Sequence, residues 1–492
     1  MPDGHRPSRH GELTALIAMC TVTVLVTGLV AAINLAIPML AASPLAPNDS
    51  ELLWIVDAYV IVFACLVIPG GAAGDRFGRK GTIIAGLSVF AVGAIVSALA
   101  PSVGILLTGR IVTGLGAALV LPNTVGILIH ATAPERRARA LATWGVVSGL
   151  GGLFGNLGGG AILATGAWQA LFWVIASLAL ACTLWIARGV RRSTRSDHAL
   201  DPAGTLLLVA ATVTLLVGII EGPERGWADL LVIGAFALSA VLWVAWVLME
   251  LRVRHPVLDP RLFRIPLLTT SALGLFALFF GSFGLFYVNA SLLGYSRGFS
   301  ALLTGVAILP LVIPMALGGR FAPALARRLG LVRTLLVAFL AVGGGLLGLS
   351  GATHASYAIY AIWLFVVGIG FALAMPVLTV ELNSSLPPHQ AGVSGGLQSA
   401  ATQLGSAIGV ALVGSVLGTV FTAALPRAAQ GERTVAGALS IAPQSHEAII
   451  GAYIAGANAA LQTAGAITLV AGVLVVLVAW RAARRRGSSH AT

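Results

Sequence analysis

Long apolar runs broken by short polar segments make up most of the chain. They fall at about residues 13–40, 51–74, 81–100, 103–130, 138–163, 167–189 and 203–221, and then at 227–250, 267–291, 301–323, 331–351, 356–381, 395–420 and 458–480. Such lengths are near or above the ~18–20 residues that cross a ~30 Å hydrocarbon core. In lipid every backbone polar group must be satisfied within the segment, so these runs predict helices rather than barrel strands. The expected fold class is an all-α membrane protein with 14 transmembrane helices. The stretch from about 421 to 457 is mixed in polarity, contains Pro426 and Pro443, and reads as a loop.

Composition agrees. Of 492 residues 58% are hydrophobic and 9% charged, too few charges to dress a soluble protein of this length. The net charge of +12 would suit a nucleic-acid partner only if the basic residues shared a face. They lie instead in short clusters in alternate loops: Arg76, Arg79 and Lys80; Arg136 to Arg139; Arg188 to Arg195; Arg252 to Arg264; Arg320 to Arg333; and Arg481 to Arg486. The intervening loops hold only Arg225, Arg297, Arg427 and Arg433. The positive-inside rule then places both termini in the cytoplasm, as an even number of spans requires. Lys80 is the only lysine, an arginine bias that points to a GC-rich bacterium and so to its cytoplasmic membrane. Cys20, Cys65 and Cys182 lie inside apolar runs without metal-ligand spacing and read as small core residues. No metal, nucleotide or nucleophile constellation emerges, so neither an enzyme nor a cofactor is expected.

The chain also repeats itself. At an offset of 254 residues Gly114 pairs with Gly368, Gly116 with Gly370, Pro122 with Pro376, Gly151 with Gly405, and Gly155 with Gly409. A weaker echo sets Arg76-Phe77-Gly78 against Arg328-Leu329-Gly330, and Asn34 against Asn289. Repeats in transporters mark the symmetry about which access alternates. The expected organisation is six helices over 1–190, two extra helices over 191–260, and six more over 261–492, with the extra pair at the periphery.

Three local patterns carry chemistry. Between the second and third runs stands Gly71-Ala72-Ala73-Gly74-Asp75-Arg76-Phe77-Gly78-Arg79-Lys80. Its glycines let helices approach, and Asp75 suits a latch on arginine groups or a helix N-terminus. In the fourth run Arg110 precedes Gly114 and Gly116 and places a cation inside the bilayer. The fifth run carries Gly151, Gly155 and Gly159 at i, i+4 spacing, a ladder for close helix packing.

In this order the three patterns resemble the major facilitator superfamily over nearly the whole chain. Trp54-Ile-Val-Asp57-Ala-Tyr59, Glu221-Gly-Pro-x-x-Gly-Trp227 and Leu258-Asp-Pro-Arg-Leu-Phe-Arg264 resemble its fourteen-span drug:proton antiporters, the branch of multidrug and antibiotic efflux pumps. The resemblance implies proton-driven export of small organic molecules from a monomer in contact with lipid. Two positions depart from the family pattern: Leu29 replaces an acid in the first span, and Asn156 replaces a proline after Gly155.

A charge at mid-bilayer costs about 2.5–3.5 kcal/mol or more, which makes intramembrane ionisable groups functional candidates. Asp57 lies about 9 Å along its helix from Glu51, at 1.5 Å per residue. It is the expected proton carrier. Arg110, at similar depth, is expected to tune it or to bind carbonyls of the first span. Asn34, Asn289, Gln398, Gln403 and Glu381 are candidates to line the substrate cavity. Gly71, Asp75, Arg76, Gly78 and Arg79 are expected to gate. Import or exchange of a metabolite, or flipping of a lipid precursor, remains open on the same fold.

Overall fold

The computed structural model describes residues 9–190, 201–253, 256, 259–386 and 391–489. Among the described residues the chain is helical, with no strand. The first six helices are α1 (Arg9–Ala41), α2 (Asp49–Phe77), α3 (Arg79–Ala98), α4 (Val103–Ala131), α5 (Pro134–Leu163) and α6 (Trp168–Gly189). Then come α7 (Pro202–Arg225), α8 (Leu230–Glu250), α9 (Pro266–Arg297), α10 (Ala301–Ala307) and α11 (Leu309–Leu329). The last are α12 (Leu331–Gly351), α13 (Tyr357–Ser384), α14 (Ala391–Ala424), α15 (Val435–Ile441) and α16 (His446–Ser489). Among the described residues twelve helices are long and apolar enough to cross a membrane. Glycine-rich α5 and the α10–α11 pair fall outside that set.

Local chemistry explains several boundaries. A capping box opens α2: the Asn48 side chain accepts the Glu51 N–H at 2.8 Å, and the Glu51 carboxylate accepts the Asn48 N–H at 2.9 Å. Gly78, at φ 100°, ends α2 and starts α3 in one residue, and Gly330, at φ 77°, does the same between α11 and α12. The run expected at 301–323 is split at Ile308, because Pro310 has no N–H to continue the ladder. The stretch read as a loop at 421–457 holds more structure than expected. Within it lie α15, with Val435 and Ala438 buried, and the start of α16, twelve residues before the predicted 458. Hydropathy missed both because Glu447 and the 3-10 turns dilute the apolar signal. Residues 387–390 lie outside the described residues, as do Arg191, Arg192 and Arg195.

The glycines of the repeat sit at matching helix crossings. A Cβ at Gly155 would fall on the Gly28 carbonyl of α1, and one at Gly409 on the Phe280 carbonyl of α9. Gly151 meets Thr27 of α1, while Gly405 meets the Phe276 carbonyl of α9. Gly114 packs 2.6 Å (from its would-be Cβ) against the Tyr59 carbonyl of α2, and Gly368 packs on the Leu311 carbonyl of α11. Gly116 meets α3 at the Gly86 carbonyl and Phe90, and Gly370 meets α12 at the Ala338 carbonyl and Val342. So α1, α2, α3, α4 and α5 correspond to α9, α11, α12, α13 and α14. The correspondence is one of backbone contact, which only residues without a side chain permit.

The two helices between these sets differ from each other. α8 packs on α7, and only 17% of its most apolar window is buried. α7 was expected at the periphery, but it lies against both α2 and α14. Near its C-terminal end the Ile220 carbonyl accepts from Ser50 of α2 at 3.2 Å, and the Ile219 carbonyl accepts from Ser415 of α14 at 2.7 Å. Consecutive carbonyls of one helix thus hold both sets.

Candidate functional site

The bundle has a near end, where α1 starts, and a far end, where α1 finishes. The central helices α1 and α9 behave alike between them. On α1 a stripe of Leu13, Ile17, Thr21, Val24 and Thr27 is exposed or half-buried, and residues 28–37 are buried on every face. On α9 Leu273, Phe276, Phe279 and Phe283 form the open stripe, and residues 284–293 are all buried. Contacts between the two sets at the far end include Leu53 of α2 against Gly414 of α14. They also include the Asn156 carbonyl of α5, 2.6 Å from the Cβ position of Gly305 on α10. The two sets are therefore packed together towards the far end, and the open positions of α1 and α9 lie towards the near end.

Asp57 and Arg110 lie in the first set, and both are fully buried. Arg110 extends from α4 to α2, where its Nε–H donates to the Ile55 carbonyl at 2.8 Å and its Nη2 group to the Val56 carbonyl at 3.4 Å. The expected carbonyl partners on the first span are thus found on the second. The guanidinium also stacks over the Tyr59 ring, 4.8 Å from its centroid, and the Tyr59 hydroxyl donates to the Val26 carbonyl of α1 at 3.0 Å. One arginine and one tyrosine therefore tie α4, α2 and α1 together around the turn that carries Asp57.

Among the described residues neither Asp57 oxygen has a hydrogen-bond partner, and no ion pair joins it to Arg110. The Arg110 Nη1 group is likewise unpartnered. An unsatisfied buried polar group costs about 1–3 kcal/mol, and more when charged. The carboxyl is thus not fixed in a permanent pair. Leu29, standing where the family pattern has an acid, is buried apolar surface.

The other expected residues divide. Asn34 is buried in the sealed part of α1; its amide donates to the Val30 carbonyl at 3.0 Å, and its oxygen is unpartnered. Asn289, in the sealed part of α9, accepts the Tyr360 hydroxyl of α13 at 2.9 Å. Gln398 of α14 is half-buried and accepts from Asn383 of α13 at 3.4 Å. Gln403 is half-buried, as is Glu381 near the C-terminal end of α13, whose backbone carbonyl accepts from Ser384 and Ser385.

In the last turns of α2, Gly71 packs on Pro122 of α4 and Gly74 on the Asn123 side chain, which donates to the Gly70 carbonyl at 2.9 Å. Arg79 lies over Gly126 of α4, whereas Arg76 is exposed. The side chain of Asp75 lies outside the described residues. Gly151, Gly155 and Gly159 line the α1–α5 crossing at Thr27, Gly28 and Ala32. Asn156 keeps α5 continuous where proline would break its ladder, with its amide donating to the Gly152 carbonyl at 2.8 Å.

A family model described as Major Facilitator Superfamily matches residues 19–410. The chain belongs to the Major Facilitator Superfamily. Among its relatives, the tetracenomycin C resistance and export protein of Streptomyces glaucescens is 30% identical, the match covering 87% of this chain and 84% of that one. The multidrug resistance protein Stp of Mycobacterium tuberculosis is 30% identical over 80% of this chain and 73% of its own. Among solved structures, an inward-facing, unoccupied bacterial homologue of the human lysosomal transporter Spinster superposes with a TM-score of 0.69. That likeness covers 96% of this chain and 97% of the other at 16% identity, and it concerns the fold alone. The protein is thus a multi-pass membrane transporter of the Major Facilitator Superfamily, not an enzyme, and its relatives are antibiotic and multidrug resistance proteins.

Sequence reasoning did not assign Tyr59, Asn123 or Glu12. The Glu12 carboxylate of α1 accepts twice from the Arg136 guanidinium of α5, at 2.8 Å each, and once from the Ala133 N–H at 3.2 Å. Tyr59 was visible in the Trp54-to-Tyr59 motif, as was Trp54, whose indole N–H donates to Glu221 of α7 at 3.3 Å. Two sequence motifs 167 residues apart thus meet in space. Nothing in the linear pattern singled out Glu12 or Asn123.

Proposed function

We propose that this superfamily member exports drugs, antibiotics or related small organic molecules by proton antiport with alternating access. Fourteen spans are arranged as six, two and six over residues 1–190, 191–260 and 261–492, with both termini in the cytoplasm. The near end is then cytoplasmic, and the open stripes on α1 and α9 fit an inward-open state. The observation that carries the reading is the fully buried, unpartnered Asp57 carboxyl beside Arg110. The resistance and export names of the relatives supply the direction of transport.

In this scheme a proton reaches Asp57 while the outer side is open and leaves it while the inner side is open. The change of charge is felt first by Arg110, which holds the α2 backbone at Ile55 and Val56. Through Tyr59 it reaches the α1 carbonyl at Val26, just before the sealed segment begins. The pair thus links a proton to the helix whose outer half closes the path. One inward charge at 100 mV is worth about 2.3 kcal/mol, or roughly a fiftyfold concentration gradient. Asn34, Asn289, Gln398, Gln403 and Glu381 act on the substrate path, and Gly71, Asp75, Arg76, Gly78 and Arg79 at the cytoplasmic gate.

The test is efflux of a compound panel from energised cells, comparing wild type with Asp57→Asn. Wild type should deplete compounds in a manner abolished by an uncoupler, and the variant should bind them but fail to concentrate them. Unchanged efflux and pH dependence in the variant would remove Asp57 from the mechanism. Proton-dependent accumulation in place of depletion would favour an importer.

A further inference from the structure

Five phenylalanines run along α9 from its open stripe into its buried segment. Phe276, Phe279, Phe280, Phe283 and Phe286 follow one another along α9 at three- and four-residue spacing, which puts them on adjoining faces. Their rings form a ladder. Phe276 stacks on Phe280 at 6.5 Å between centroids and 20° between planes, and Phe279 on Phe283 at 5.7 Å and 14°. Phe283 meets Phe286 edge-on at 5.5 Å, and Phe371 of α13 joins Phe279 at 5.4 Å.

A ladder built only for core packing would be covered on all sides. Here Phe276, Phe279 and Phe283 are half-buried, on the stripe that begins at Leu273, which is 48% exposed. Lipid does not account for that exposure. α9 is among the most enclosed helices, with 78% of its most apolar window buried, and it is packed by α1, α10, α12, α13, α14 and α16. Between residues 270 and 293 these neighbours leave open only Leu273, Phe276, Phe279 and Phe283.

The opposite wall supplies the polar part. The α1 stripe carries Thr21, whose hydroxyl donates to the Ile17 carbonyl at 2.9 Å, whereas the Thr27 hydroxyl packs against Gly151 of α5. With its proton engaged, the Thr21 oxygen has only acceptor capacity left to offer. Neither open stripe carries a charged residue. Leu13, Ile17, Thr21 and Val24 are the open positions on α1, and Leu273, Phe276, Phe279 and Phe283 those on α9. Nothing on these two walls would compensate a ligand's formal charge. Aromatic faces prefer offset-stacked or edge-on aromatic partners over saturated surface of equal area.

We propose that the α9 phenylalanine ladder and Thr21 of α1 form a binding site for uncharged, flat aromatic compounds bearing a hydroxyl or amide N–H donor. The rings lie on Phe279 and Phe283, and the donor points to Thr21. The inference rests on the transport reading above and narrows its substrate class.

Binding to the purified full-length protein tests it without transport. Tritiated 2-naphthol is bound by scintillation proximity, then displaced by unlabelled 2-naphthol or by decahydro-2-naphthol, which keeps the skeleton and hydroxyl but has no ring current. Wild type should prefer the aromatic competitor by about two- to tenfold for each ring it stacks on. Phe279→Leu and Phe283→Leu, which keep bulk for folding, should erode that preference, and Phe279→Tyr should retain it. Thr21→Val should weaken 2-naphthol several-fold while leaving 2-methoxynaphthalene, which has no donor, unchanged. Equal displacement by the two competitors in wild type, or a preference untouched by both leucine variants, would overturn the proposal. So would tighter binding of the dication methyl viologen than of 2-naphthol. Binding retained in a protein that shows no efflux would count against export and leave the ladder standing.

Discussion

Replacing Gly155 by alanine tests the packing on which the first six helices depend. A Cβ built there lies 2.7 Å from the Gly28 Cα and closer still to the Gly28 carbonyl oxygen. Carbon atoms rest about 3.5–4.0 Å apart, so the overlap approaches 1 Å. The obstacle is backbone, which cannot rotate aside as a side chain would. α1 and α5 must separate, at a cost of about 1–3 kcal/mol typical of overpacking. Alanine's better helix propensity returns up to about 1 kcal/mol. Gly158→Ala on the same helix supplies the control, because nothing lies within 4 Å of its Cβ position. The propensity gain is common to both variants, so the difference between them isolates the overlap at about 1–3 kcal/mol. Gly28→Ala should fall between, since its Cβ meets the Gly151 carbonyl and the Gly155 Cα at 3.3 Å each. In the second set Gly409→Ala should behave like Gly155→Ala, its Cβ lying 2.9 Å from the Phe280 Cα. The assay is the unfolding midpoint of detergent-purified protein, normalised to expression. Gly155→Ala as stable as Gly158→Ala would refute the close crossing and, with it, the pairing of α1–α5 with α9–α14.

Other outcomes follow from the same geometry. Ser50→Ala with Ser415→Ala removes two interhelical bonds to α7, each worth about 0.6–1.5 kcal/mol. That should shift the equilibrium towards outward opening by roughly ten- to a hundredfold, read as faster external labelling of a cysteine at position 53; unchanged labelling would show that α7 does not hold the outer side. Arg110→Lys keeps the charge but loses the planar group that donates to two carbonyls and stacks on Tyr59. It should yield folded protein with efflux reduced at least tenfold, and wild-type efflux would refute the role of that geometry. Glu12→Gln weakens a pair whose arginine is 46% exposed, so the loss in stability should stay near or below about 1 kcal/mol, measured by the same unfolding midpoint.

The apolar runs alone determined that this chain lives in lipid and where most of its helices lie. A segment long enough to cross the hydrocarbon must satisfy its own backbone, and helix is the form that does so. The repeat was legible for a related reason. Gly114, Gly116 and Gly155 and their partners 254 residues on mark places where two backbones touch, and only glycine fits there. Asp57 and Arg110 stood out because charge within an apolar run is costly. What the linear pattern left undecided was direction around each helix. Lipid, a neighbouring helix and an apolar substrate path accept the same side chains, so hydropathy could not distinguish them. Packing alone put α7 between the two sets, turned Arg110 towards the carbonyls of α2, joined Glu12 to Arg136, and left Phe276, Phe279 and Phe283 half-buried on one stripe of α9. Each depends on which residues far apart in the chain come within a few ångströms, and tertiary structure fixes that.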